Sequence, residues 1–209
     1  GSVQLPAPVP NGQTLGVTIE FEYQDPNEHP VFTCSGVING NISSFNYARP
    51  VKPGDYKVSY ILYSTTDLLD YFAANRLLEC AYYRINGPCT PFDGDIITIG
   101  STSQEINLNV LNNGLLISGS AILPWQAHED TDVYISSPSL PHYQGFAKIP
   151  AGSLSTNYTL VVPSGTVGTI YFFVGDVNGE LTILSPLTAD LPGQNIYLST
   201  SSMASSSGK

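Results

Sequence analysis

Hydrophobic and polar residues alternate along most of the chain, in short runs separated by turn residues. In GVTIEFEY (16–23) every second residue from Val17 to Tyr23 is apolar, and the same alternation recurs in DYKVSYILY (55–63). A period of two places successive side chains on opposite faces of a strand, so these runs predict half-buried β-strands. About seven such runs precede residue 112 and about as many follow it, the number expected for a small two-sheet sandwich.

One stretch breaks the alternation. In STTDLLDYFAANRLLECA (64–81), Thr65 or Thr66 can cap a helix, acidic residues follow in its first turn, and Arg76 lies in its last turn. This pattern predicts a short helix in the first half of the chain. The second half contains no equivalent stretch.

The two halves also resemble one another in sequence. The aligned pairs are 44–62 with 145–162, 81–87 with 171–179, and 105–110 with 195–200. In the first pair a Phe precedes a Lys and a turn, and a strand led by a Tyr follows. Two copies of one small all-β unit are the simplest interpretation.

The predicted fold is therefore all-β, with two tandem antiparallel seven-stranded sandwiches, the first of which carries the short helix. An Asn-Asn-Gly turn at 112–114 marks the boundary between them. The predicted segments are 1–14 as a Pro-rich linker with a cloning scar at its start, 15–112 as the first sandwich, 113–200 as the second, and 201–209 as a flexible Ser-rich tail.

The segment KPGDYKVSY (52–60), followed by the predicted helix and ECAYYRING (79–87), resembles the transthyretin-like (prealbumin-like) sandwich. That group includes carboxypeptidase regulatory-like domains and repeats of bacterial surface proteins. In the second copy the matching strand is 157–162. The resemblance implies a β-sandwich of a secreted or surface protein. Immunoglobulin-like and fibronectin-like topologies stay open, because alternation does not assign strand order.

Charge narrows the set of partners. The chain has 17 acidic residues and seven Lys and Arg, for a net charge of -10. Nucleic-acid binding requires clustered cations that neutralise phosphates, so a nucleic-acid partner is excluded. No apolar run reaches the ~20 residues of a membrane span, so we expect no membrane insertion. The polar composition, rich in Ser, Thr, Asn and Tyr, indicates a secreted or cell-surface protein.

Three cysteines lie in the first half. Cys80 and Cys89 flank a turn and predict a disulfide, with Cys34 as an alternative partner for either. Three pairings are open, and three buried free thiols are the alternative.

Acidic residues of the second half supply a candidate metal site. Asp176, Asn178 and Glu180 occupy alternate positions around a Gly turn, and the preceding loop HEDTD adds Asp130 and Asp132. Several oxygens presented to one cation suit Ca²⁺. The simpler interpretation, which the pattern favours, is a hairpin turn beside a solvated acidic loop, with no cofactor.

Aromatic residues of the second half supply a candidate ligand site. Trp125, the single tryptophan, lies in a loop, and Tyr134, His142 and Tyr143 follow it. Aromatic faces stack on the apolar faces of sugars, so this group predicts a carbohydrate platform. The alternative, which we favour, is that Trp125 packs at one end of its sandwich or at the junction between the two domains.

No pattern typical of a catalytic site is present, since neither a Gly-x-Ser-x-Gly elbow nor paired metal-binding histidines occur. We therefore expect a non-enzymatic extracellular module for structure, adhesion or assembly, whose partners are other extracellular proteins or copies of itself. The alternative is a carbohydrate- or calcium-dependent ligand-binding module centred on the second sandwich.

Overall fold

The computed structural model describes residues 1–64, 76–140, 143 and 145–200, with the side chains of residues 76 and 77 left out. In these residues all regular secondary structure is β-strand. The chain divides into unit 1, Gly1–Gly114 with Val161–Pro163, and unit 2, which comprises the other residues from Leu115 onward.

Unit 1 contains eight strands, β1 (Ser2–Gln4), β2 (Thr14–Tyr23), β3 (Val31–Asn39), β4 (Ser44–Asn46), β5 (Gly54–Ser64), β6 (Arg76–Tyr82), β7 (Ile97–Ile99) and β8 (Asn107–Asn109). Its larger sheet has the order β3-β2-β5-β6, with β7 paired to the start of β5. Its smaller sheet has the order β4-β1-β8. Alternate residues of β2 and β5 meet Val3 and Leu108 of the smaller sheet in one hydrophobic core.

The following eight strands are β9 (Gly114–Ile122), β10 (Thr131–Ser136), β11 (Gly145–Ile149), β12 (Ser155–Pro163), β13 (Gly168–Val174), β14 (Val177–Ile183), β15 (Ile196–Tyr197) and β16 (Ser199–Thr200). These strands form two further sheets. The larger sheet has the order β11-β10-β13-β14-β16, and the smaller sheet has the order β12-β9-β15. The ring of Phe172 in the larger sheet contacts that of Tyr158 in the smaller sheet, with centroids 4.8 Å apart. Both side chains are buried, so this contact joins the two layers of the core.

The two units share one topology apart from β7 in the first and β16 in the second, which have no counterpart. Strands β1 to β6 correspond to β9 to β14, and β8 corresponds to β15. The all-β fold with two tandem sandwiches is confirmed. The predicted alignment of the halves, however, is displaced by one strand over most of its length. It matched β4 and β5 to β11 and β12, whereas the topology matches them to β12 and β13.

The displacement arises at the start of the chain, where the prediction of a linker over 1–14 is wrong. Strand β1 is the central strand of its sheet, and Val3 and Val9 are buried. Three residues beside a Pro-rich stretch show too little alternation to be recognised as a strand. The prediction of purely antiparallel sheets is also wrong, because β1 runs parallel to β8 and β9 runs parallel to β15.

The predicted helix over 64–81 is wrong at its C-terminal end. Residues 76–82 form β6, which pairs antiparallel with β5. Pairing with a neighbouring strand outweighs the weak helical preference of this stretch. The remainder of the predicted helix, 65–75, and the predicted tail, 201–209, lie outside the described residues.

The predicted disulfide is also wrong, since Cys34, Cys80 and Cys89 are all free thiols. Ala81 belongs to the core, so its neighbour Cys80 lies on the other face of the sheet, whereas Cys89 lies within the core. Successive residues of a strand point to opposite faces, which separates these two sulfur atoms. Burial raises the pKa of both the Cys80 and the Cys89 thiol, so neither is a reactive thiolate.

Candidate functional site

The outer face of the larger sheet in unit 2 carries exposed aromatic side chains. In β10 and β13, Ile135 and Phe172 point into the core, and the alternation of the strand turns their neighbours outward. Tyr134 of β10 and Phe173 of β13 are these outward neighbours, and Phe146 of β11 follows the buried Gly145; all three aromatic side chains are exposed. Three adjacent strands therefore present aromatic rings on one face.

These rings form a continuous row. Tyr134 lies opposite Phe146 on one side and opposite Phe173 on the other. The Tyr134 and Phe146 ring centroids are 5.2 Å apart in an edge-to-face arrangement. Along β13, the rings of Phe173 and Tyr171 stack at 6.1 Å with 27° between their planes. We call these four residues the aromatic row.

The row keeps much of its apolar surface in solvent. Tyr134 is 51% exposed, Phe146 41% and Phe173 39%, although each contacts another ring. Single exposed apolar residues are ordinary on protein surfaces, whereas a contiguous exposed group marks an interaction site. The row is therefore the strongest candidate for ligand binding in unit 2.

Polar side chains border the row on the same face. Asp132 and Lys148 lie opposite each other across β10 and β11. On the other side, Asn178 lies opposite Phe173, and Glu180 lies opposite Tyr171. The border thus offers hydrogen-bond donors and acceptors of both charges around a neutral apolar centre. This arrangement suits a ligand with an apolar face and a hydroxylated rim.

The structure does not bring the described residues of the predicted carbohydrate platform together in one site. Tyr134 belongs to the aromatic row, whereas Trp125 is exposed in the loop between β9 and β10, outside the row. Tyr143 is 2% exposed, and its amide donates a hydrogen bond to the Leu140 carbonyl at 2.9 Å. The expected ligand contact of Tyr143 is therefore wrong. His142 lies outside the described residues.

The five predicted metal ligands do not form one site. Asp176 lies in the tight β13–β14 turn, where Gly175 has a φ of 53°, and one Asp130 oxygen accepts a hydrogen bond from the Ala151 amide at 3.0 Å. In the described part of the chain, no three acidic, His or Cys side chains are grouped so that they could hold a metal ion. Asp132, Asn178 and Glu180 instead border the aromatic row.

Three members of the row were not among the predicted site residues. Tyr171 and Phe173 belong to the run TIYFFV, whose unbroken apolar character is typical of a strand buried on both faces. Phe146 belongs to the sequence repeat, which predicts its place in the fold and no role in binding. Their outward direction follows from the burial of Phe172, which only the packed structure shows.

Unit 1 contains a buried carboxylate that stabilises the fold. Glu79 is 3% exposed and accepts hydrogen bonds from the Tyr60 hydroxyl and from the amides of Leu111 and Asn113, at 2.7 and 3.0 Å for the amides. Burial, reinforced by the nearby Glu79 carboxylate, raises the pKa of Tyr60 far above its usual range, so its hydroxyl stays a donor. With both oxygens engaged and no solvent access, Glu79 has a structural role.

Comparison with known proteins adds little to this geometry. No protein-family model matches the chain, and no curated protein matches it. One similar solved structure is described as "a putative adhesin from Bacteroides ovatus ATCC 8483". It has 9% sequence identity and a TM-score of 0.30, with 95% of this chain and 92% of that chain covered. A similarity of this size carries no argument, so the function rests on the surface described above.

No helix of the described residues has the length and apolar character needed to cross a membrane.

Proposed function

We propose that the protein is a non-enzymatic adhesion module of a secreted or cell-surface protein, and that it binds neutral glycans through the aromatic row. The observation that carries the proposal is the contiguous exposure of Phe146, Tyr134 and Phe173 on one sheet face. Pyranose rings have apolar C–H faces that pack against aromatic rings, and their hydroxyl groups need polar partners at the edge.

The charge distribution supports a neutral ligand. Asp132 and Glu180 flank the row on one face, and Lys148 is the basic residue beside it. An anionic polysaccharide would meet these carboxylates and a chain of net charge -10. A neutral polysaccharide avoids this repulsion, and its hydroxyl groups can pair with Asp132, Asn178 and Glu180.

The shape of the site supports binding without catalysis. The row lies on the outer face of a sheet, where bound sugar stays in contact with solvent, whereas hydrolytic sites enclose the scissile bond between acids. The buried acid Glu79 is engaged with Tyr60 and with backbone amides. These features favour a module that holds a polymer and leaves it intact.

Affinity electrophoresis in gels that contain neutral polysaccharides, namely β-1,3-glucan, xylan and mannan, tests this function. We expect at least one polysaccharide to retard the wild-type chain. Phe173→Ser deletes one exposed ring of the aromatic row and is expected to weaken binding about tenfold, which corresponds to about 1.4 kcal/mol. Wild-type migration that is unchanged in every gel would contradict the proposal.

Tyr197→Ser is the matched control, because Tyr197 is 72% exposed on β15 of the other sheet. Its removal deletes an exposed aromatic ring without touching the row, so retardation should be unchanged. Trp125→Ala provides a second comparison, since Trp125 is 48% exposed but lies outside the row. Equal losses in all three variants would indicate nonspecific stickiness and refute a defined site.

A further inference from the structure

Unit 1 contains a cleft of about 510 Å³ at one end of its sandwich. This volume falls within the range of small-molecule sites, ~300–1,000 Å³. Its walls are two loops, 48–51 between β4 and β5 and 100–104 after β7. No residue of the aromatic row lines it.

The floor of the cleft is apolar and fixed. Phe21, Tyr47, Ile99 and Ile106 are each less than a tenth exposed. The Tyr47 hydroxyl donates a hydrogen bond to the Ile106 carbonyl at 2.7 Å, and burial raises the pKa of Tyr47, so this group stays neutral. The Tyr47 hydroxyl is therefore committed within the protein, and its ring is held as part of an apolar surface.

The walls carry polar groups that the protein does not use. The ion pairs of the described residues are Lys52–Glu28 and Lys57–Asp93, which leaves the exposed guanidinium of Arg49 without a carboxylate partner. On the opposite wall, the side chains from Ser101 to Gln104 form no hydrogen bond with another described residue. A cation and several hydroxyl and amide groups thus surround an apolar floor.

We propose that this cleft binds a sugar acid, a monosaccharide unit that carries a carboxylate. The planar guanidinium of Arg49 matches a carboxylate with two parallel hydrogen bonds. The wall from Ser101 to Gln104 pairs with ring hydroxyls, and the apolar face of the sugar rests on Phe21 and Tyr47. The overall charge of -10 disfavours anions, so the local positive charge of the unpaired Arg49 guanidinium is what a carboxylate at this cleft requires.

The inference is independent of the proposed function, because the cleft lies in unit 1 and the aromatic row in unit 2. Glucuronate and glucose are the probes, since they differ only in the carboxylate at C6. In amide NMR titrations of the full chain, we expect glucuronate to shift resonances of 48–51 and 100–104, with glucose causing no comparable shift. Equal binding of the two sugars, or binding of neither, overturns the proposal.

Two arginine variants test whether Arg49 supplies the positive charge that binds the carboxylate. Arg49→Gln is expected to weaken glucuronate binding about tenfold or more, because a charge-assisted bidentate contact is lost. Arg84→Gln is the matched control, as it removes an exposed positive charge elsewhere in unit 1 and should leave binding unchanged. Equal effects of the two variants refute a specific role for Arg49. Amide spectra of each variant verify that the fold is retained.

Benzoate and Phe173→Ser complete the test. Benzoate carries a carboxylate on an apolar ring but has no hydroxyl groups, so we expect it to bind more weakly than glucuronate. Equal or tighter binding of benzoate contradicts a sugar ligand. Phe173→Ser is expected to leave glucuronate binding intact, which separates the cleft from the aromatic row. If Phe173→Ser loses both polysaccharide binding and glucuronate binding, the two sites are not independent.

Discussion

At the scale of single residues, the carboxylate of Glu79 is held in place by three hydrogen bonds. It lies within a β-strand at 3% exposure, and its oxygens accept hydrogen bonds from Tyr60, Leu111 and Asn113. The two amides belong to the segment that follows β8, where the regular ladder has ended. A buried donor without an acceptor is costly in free energy. Glu79 therefore stabilises this segment by supplying the acceptors that a neighbouring strand would otherwise provide.

We expect Glu79→Leu to lower the free energy of unfolding by about 2–4 kcal/mol, because it leaves the Tyr60 hydroxyl and the Asn113 amide without an acceptor, and the Leu111 amide with only the Tyr60 oxygen at 3.1 Å. Urea denaturation followed by circular dichroism measures the loss. Glu105→Gln is the control: Glu105 is exposed, and the amide oxygen of Gln still accepts a hydrogen bond from Asn107. A Leu variant as stable as this control would show that the network is dispensable.

At the scale of elements, the shortest strands decide the topology. Strand β1 has three residues, yet it is antiparallel to β4 and parallel to β8 and so holds the smaller sheet of unit 1 together. Val3, at its centre, is fully buried against the core. A sequence window of three residues carries almost no periodic signal, although the tertiary contribution of this strand is large.

Val3→Asp is expected to disrupt the smaller sheet of unit 1, since an unpaired carboxylate would have to be buried in an apolar core. Ala7→Asp adds the same charge at an exposed position of the same segment and should be tolerated. Thermal melting of the two variants gives the comparison. Similar melting temperatures would mean that β1 does not belong to the cooperative core.

At the scale of the whole molecule, one topology is used twice with different surfaces. Each unit has a four-strand path, β3-β2-β5-β6 or β11-β10-β13-β14, that packs on a three-stranded sheet. The hydrophobic core of unit 1 is built from its own residues. The aromatic row lies in unit 2 and the Arg49 cleft in unit 1, so each proposed site is a feature of one unit.

Matched core variants test whether each unit is a separate cooperative body. Ile19→Ala in β2 and Ile170→Ala in β13 each truncate an almost fully buried side chain, and each should cost about 2–5 kcal/mol. In hydrogen exchange read by mass spectrometry, we expect Ile19→Ala to reduce protection in β2, β3 and β5, and Ile170→Ala to reduce it in β10, β13 and β14. Uniform loss across both units in either variant would contradict separate cooperativity.

The sequence by itself determined the all-β fold class and the presence of two sandwiches in tandem. Alternation over long strands such as β2 and β5 exposes one apolar face, and burial of that face in a second sheet follows directly from the hydrophobic effect. The outward direction of Tyr134 can also be predicted in this way, because apolar Val133 and Ile135 flank it in DVYIS (132–136). These features depend on the pattern of neighbouring residues, which can be read directly from the sequence.

Only the tertiary structure decided the strand order, the parallel pairs, the free thiols and the surroundings of the two proposed sites. Pairing of β1 with β8 joins residues more than 100 positions apart, and no local pattern specifies it. Cys80 and Cys89 flank one turn but lie on opposite sides of a sheet, and Phe172 and Phe173 are neighbours of which only one is exposed. Which face of an apolar run meets solvent depends on what packs against it, and that is settled by non-local contacts.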